Sequence, residues 1–137
     1  MSGFSPIRIV HISTSHTGGA GIAARRLNEA LIQDGYSSAF MACSNETFNA
    51  NRNELAVQRT FIQRLKGALL VRVQQAISSR TYFTLGSIGA IKESDLIEYS
   101  PNDSVIHIHN WFNLANLTLF RSLLSRGYRL LSPSSLS

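Results

Sequence analysis

The chain has 137 residues, enough for one domain, with 44% apolar residues, one cysteine and a net charge of +5. No apolar run approaches the ~20 residues of a membrane-spanning helix, the short uncharged stretch before Ile7 is not a signal peptide, and Cys43 alone excludes an internal disulfide. These features predict a cytoplasmic chain, and the low 15% charged content, against about 25% in a typical domain, predicts a surface covered by another domain, a partner or a membrane.

Ile7, Ile9, Val10 and Ile12 form a short apolar run, which predicts a strand over 7–12 covered on both faces. Residues 13–17 offer Ser and Thr for turns and caps, and Gly18, Gly19 and Gly21 follow. Ala20, Ala23, Ala24, Leu27, Ala30 and Leu31 recur at helical spacing, which predicts a helix over 21–34 with Gly35 just past its end. A strand over 38–42 comes next, with Cys43 an inert thiol near its end, and then a polar, Asn-rich loop over 44–53. Phe61, Ile62, Leu65, Leu69, Val73, Ala76 and Ile77 predict an amphipathic helix over 58–79. A short extended piece over 81–85, a flexible connection over 86–90 and a short helix over 91–99 lead to the turn signal Ser100-Pro-Asn-Asp103. A buried strand over 105–109, a helix over 114–124 closed by Gly127, and the start of a strand over 128–131 complete the chain. Alternating strands and helices predict an α/β fold, a Rossmann-like parallel sheet with helices on both faces, as a single domain over 1–137.

The glycine loop has two physical readings. A helix that starts there directs its positive end and free N–H groups at whatever lies above the strand, and phosphate is the usual occupant. Gly19-Ala-Gly-Ile-Ala-Ala24 formally matches the dinucleotide fingerprint. Residues 13–18 nevertheless intervene between the strand and the first glycine, and only Glu46, past the next strand, supplies the acidic residue that fingerprint wants. The plainer reading is that the glycines make a tight strand-to-helix turn.

Taken together, the Ser/Thr-rich loop, Gly18-Gly-Ala20, and Ala24-Arg-Arg-Leu27 resemble the N-terminal domain of GT-B-fold glycosyltransferases of the broad group-one family, in its surface-polysaccharide branch. Ser104-Val-Ile-His-Ile-His-Asn110 resembles that family's D-V-I-H-x-H strand, with Ser104 where Asp is common. The resemblance covers most of 7–127 and is weakest over 46–103. It implies transfer of a sugar from a nucleotide-sugar donor to a glycan or lipid-linked acceptor, with no cofactor beyond that substrate. Gly18 and Gly19 would contact the donor diphosphate, with Arg25 and Arg26 as nearby charges, and His16, His109 and Asn110 would line the substrate crevice. No catalytic residue is assigned. The family continues beyond the region of Leu131 with a strand, a Thr-x-His-Asp type segment and a donor-binding domain. Here the chain reads Ser132-Pro-Ser-Ser-Leu-Ser137, so the resemblance implies a C-terminally incomplete chain that transfers no sugar by itself. The alternatives are a stand-alone nucleotide-binding Rossmann domain, such as an oxidoreductase fragment, and a membrane-associated interaction module.

In parallel sheets, ligands bind beyond the carboxyl ends of the strands. His11 lies near that end of the first strand, His16 lies in the glycine loop, and His107 and His109 share one face of a later strand. If the two strands are neighbours, all four histidines approach one crevice. His-x-His is a sound zinc-ligand pair, but no further Cys or paired carboxylate completes a site, so no metal is expected and His11 and His107 read as core or hydrogen-bonding residues. Trp111 and Phe112 offer area for stacking on a sugar or for packing.

Arg59, Arg64, Lys66, Arg72 and Arg80 have no acidic residue among them. The stretch reads either as a core-facing helix with a solvated cationic side or as a contact with an anionic membrane leaflet through Arg64, Lys66 and Arg72. The second reading makes the chain peripheral at the inner face of the membrane. Nucleic acid is not expected, because no recognition motif or interleaved aromatics accompany the charge.

Overall fold

The computed structural model describes residues 6–43, 53–57, 91–110 and 117–132, with helical backbone also at 65, 68, 69, 72 and 73. The expectations for 44–52, 81–90, Arg64, Lys66, Trp111 and Phe112 lie outside the described residues. Among these described residues five strands form one parallel sheet: β1 (Arg8–Ser13), β2 (Ser37–Cys43), β3 (Glu54–Val57), β4 (Ser104–Ile108) and β5 (Arg129–Leu131), in the order β3-β2-β1-β4-β5. This is an α/β Rossmann-like sheet, with the strand order reversing direction between β1 and β4.

Helix α1 (Gly19–Gln33) and helix α2 (Leu117–Ser125) lie on opposite faces of the sheet. The α2 face carries the larger core, where Val10, Ile12, Met41, Ile106 and Ile108 pack with Leu96, Tyr99, Leu119, Leu123 and Tyr128. A 3-10 turn, Glu93–Leu96, stands where the sequence predicts a helix over 91–99. It is held to α2 by the Ser122 hydroxyl, which donates to Glu93 at 2.8 Å, and by an Arg126–Glu93 ion pair. The Tyr128 hydroxyl donates to the Tyr99 carbonyl at 2.6 Å and fixes the segment that leads into β4.

Both helices end as their glycines predict. Gly35 and Gly127 each adopt a φ of 85°, which glycine reaches without strain. Tyr36 N–H then donates to the Leu31 carbonyl, and Tyr128 N–H to that of Leu123, satisfying carbonyls that the helix leaves open.

The buried stripe of α1 differs from the one its apolar spacing predicts. Gly21, Ala24 and Asn28 face the sheet, whereas Ile22 and Leu27 are 42% and 39% exposed. Gly21 sets this rotation: a Cβ there would stand 1.9 Å from the Ser15 carbonyl oxygen, so only glycine lets the helix meet the loop. Asn28 is buried because its side-chain oxygen accepts from the Ser38 hydroxyl at 2.7 Å. Strand β3 was not foreseen. It is four residues long at the sheet edge, and its first residue, Glu54, is 5% exposed.

Candidate functional site

The sheet register brings the histidines of β1 and β4 together. His11 pairs laterally with His107, and His109 lies two residues further on the same face, just past the strand, its N–H donating to the Ile12 carbonyl at 2.8 Å. This is the α1 side of the sheet, shared with Phe40 and Ala42 of β2. His11 Nδ1 and His109 Nε2 are 3.0 Å apart, so one of these nitrogens donates to the other. The His107 and His109 rings are 4.0 Å apart between centroids, and His11 is 5.4 Å and 5.2 Å from them.

His11 is 1% exposed, and His107 and His109 are half-buried. Burial depresses all three basicities, because charging a ring there forfeits its hydration. His11 is lowered to about 4, with repulsion from the other two rings adding to desolvation, and His109 is likewise lowered to about 4. The three rings are therefore neutral at pH 7, each with a lone pair. One ligand nitrogen from each lies within 4.8 Å of the others, a grouping that can hold a metal ion. His16 is half-buried in the glycine loop and does not join this triplet.

The glycine loop sits beside the triplet at the carboxyl ends of β1 and β4. The Thr14 hydroxyl donates to the Asn110 carbonyl at 3.3 Å, joining the loop to the residue after His109. Ser15 Oγ accepts from the Thr17 N–H at 3.2 Å and makes a local turn. Gly18 is the N-cap of α1, with no side chain capping the helix and no acidic residue in its first turn. A Cβ at Gly18 or at Gly19 would meet nothing within 4 Å. Gly21 is thus the glycine the fold requires, while Gly18 and Gly19 leave open space over uncapped N–H groups.

Arg25 does not turn toward the loop. Its guanidinium Nε donates to Glu54 on β3 at 2.9 Å, which accounts for the buried carboxylate at the sheet edge. Arg26 is exposed. Leu65, Leu69 and Val73 are 60%, 63% and 45% exposed, and Arg72 is exposed beside them. The side of the basic stretch formed by these residues therefore faces solvent rather than the core.

A cavity of about 200 Å³ lined by Arg8, Asn53, Glu98 and Tyr99 lies at the amino ends of the strands, opposite the glycine loop. Arg8 stands 5.5 Å from the Tyr99 ring centre there. Among the described residues no helix is long and apolar enough to cross a membrane. Searches against family models, curated proteins and solved structures find no match for this chain.

Sequence reading names Gly18, Gly19, His16, His109 and Asn110 as site candidates; of the two histidines, the structure brings His109 into the triplet and leaves His16 out of it. The plainer sequence reading, a tight strand-to-helix turn, holds for Gly21 but does not single it out, because the close approach of the Ser15 carbonyl is a tertiary contact with no local signal.

Proposed function

We propose that this chain is the acceptor-side, N-terminal domain of a GT-B glycosyltransferase, serving transfer of a sugar from a nucleotide-sugar donor to a glycan or lipid-linked acceptor in polysaccharide synthesis. The observation that carries the reading is the pair of open glycines. Gly18 and Gly19 have no steric reason to be glycine, yet they sit over an uncapped helix start at the strand-order reversal. A donor diphosphate suits such a place: backbone N–H groups approach it closely and stabilise the charge that grows on the leaving phosphate. In this reading His16, His109 and Asn110 offer groups for sugar hydroxyls. The Thr14 hydroxyl donates to the Asn110 carbonyl and so joins the loop to the residue that follows the end of β4. In this reading a separate C-terminal domain supplies most of the donor contacts, and the exposed Ile22 and Leu27 fit a surface of low charge that another domain covers.

A contact with an anionic membrane belongs to the same reading. Leu65, Leu69 and Val73 repeat every four residues and are exposed, with Arg72 among them. An apolar stripe edged by cations is the pattern of a helix lying in a lipid interface. It would hold the crevice near a lipid-linked acceptor.

Calorimetric titration of the chain with UDP-sugars, GDP-sugars and NAD tests the assignment. The account expects weak, saturable binding of a sugar nucleotide that Gly19→Val abolishes, since a β-branched side chain there fills the open space. Tight binding of NAD with none of any sugar nucleotide would favour a stand-alone dinucleotide domain.

A further inference from the structure

We infer that His11, His107 and His109 form a three-nitrogen binding site for a divalent first-row transition metal, of which Zn²⁺ is the best match. The inference rests on the sheet register and ring geometry and is independent of the glycosyltransferase reading.

The fold itself assembles the ligands. Parallel pairing of β1 with β4 sets His11 beside His107, and the period of two along β4 adds His109 on the same face. Two nitrogens bound tetrahedrally to one Zn²⁺ at about 2.0–2.1 Å stand about 3.3 Å apart. The His11 Nδ1 to His109 Nε2 separation of 3.0 Å is already close to that, and one ligand nitrogen from each of the three rings lies within 4.8 Å of the others.

Chemistry points the same way. Among the described residues the grouping contains imidazoles alone. Histidine binds a metal through the lone pair of its neutral ring. Imidazole sets favour zinc, copper, nickel and cobalt over magnesium or calcium, which take oxygen ligands. A metal at the cluster takes the place of the ring-to-ring hydrogen bond, and the displaced proton moves to the far nitrogen of the same ring. Three protein ligands leave a fourth position for water or for an oxygen of a bound ligand. With no carboxylate in the set, the bound ion keeps its full double positive charge, and an anionic oxygen in that position is favoured.

The test is titration of the tag-free chain with Co²⁺, followed by the visible absorption of four-coordinate cobalt, and with Zn²⁺ in competition with a coloured chelator. The expected result is one ion per chain, with Zn²⁺ displacing Co²⁺. His107→Gln and His109→Gln, at half-buried positions that tolerate a polar side chain, each weaken binding about tenfold or more. His16→Gln, outside the triplet, leaves affinity unchanged. Circular dichroism of each variant separates loss of a ligand from loss of fold. Affinity unchanged in folded His107→Gln and His109→Gln, or the absence of saturable one-to-one binding by the parent chain, overturns the site.

Discussion

Gly21→Ala isolates the contact that fixes helix α1 to the loop. In an ordinary helix interior this change stabilises by about 1 kcal/mol, because alanine loses less backbone freedom on folding. Here the new methyl carbon would stand 1.9 Å from the Ser15 carbonyl oxygen and 2.8 Å from its carbon. Both partners are backbone, so no flexible side chain can swing away, and the helix or the loop must move by more than about 1 Å to restore a normal contact. Overpacking of this kind costs about 1–3 kcal/mol, and a backbone obstacle belongs at the upper end. The net expectation is destabilisation by about 2 kcal/mol, the opposite sign to the propensity effect. Gly19→Ala is the control, since its methyl would meet nothing within 4 Å, and its stability should stay within about 0.5 kcal/mol of the parent. Urea unfolding of the three proteins measures both differences through the midpoint at constant m. A Gly21→Ala variant as stable as the parent, or more so, would refute the packing argument.

Arg25→Met should destabilise the chain by about 2–3 kcal/mol, because it strands the buried Glu54 carboxylate; adding Glu54→Leu should recover most of the loss in the same unfolding assay. Tyr128→Phe removes the donor to the Tyr99 carbonyl and should cost about 1–2 kcal/mol by thermal or urea unfolding. In the presence of a chelator, stability should decline as pH falls. His11 and His109 are lowered in the folded chain to about 4 from 6.5, so between those values the unfolded chain binds more protons. Their contribution is complete above about pH 6.5 and is lost towards pH 4, with a slope near pH 5 of about 2 kcal/mol per pH unit after discounting the half-buried His109. His109→Gln should flatten the slope, and an unchanged slope would count against neutral rings. Flotation with vesicles should be stronger for anionic than for neutral lipid and weaken with salt, and replacement of Arg64, Lys66 and Arg72 by Gln should reduce it; equal flotation with both lipids would remove the electrostatic contact.

The sheet was legible because β1 and β4 are dense in β-branched apolar residues, Ile9, Val10 and Ile12 in one and Val105, Ile106 and Ile108 in the other. Strand β3 was not, since Glu-Leu-Ala-Val following an Asn-rich stretch has too short a pattern, and its Glu54 is buried only by virtue of Arg25 on another element. On α1, apolar spacing finds the buried Ala24 but adds Leu27, which is exposed, and omits Gly21 and Asn28, which face the sheet through close backbone approach and a hydrogen bond to Ser38. Convergence of His11, His107 and His109 followed from strand adjacency and the period of two. Separation of His16 from them did not, since a loop position has no periodicity to read.

The reading of the crevice is tested most directly by an amide-resolved nuclear magnetic resonance map of the chain titrated with a sugar nucleotide. The account predicts shifts concentrated at Gly18, Gly19, His16, His109 and Asn110, with Gly19→Val removing them and the Arg8–Asn53–Tyr99 cavity at the opposite strand ends silent. Shifts confined to that opposite cavity, or a glycine loop that stays silent at saturating sugar nucleotide, would contradict it.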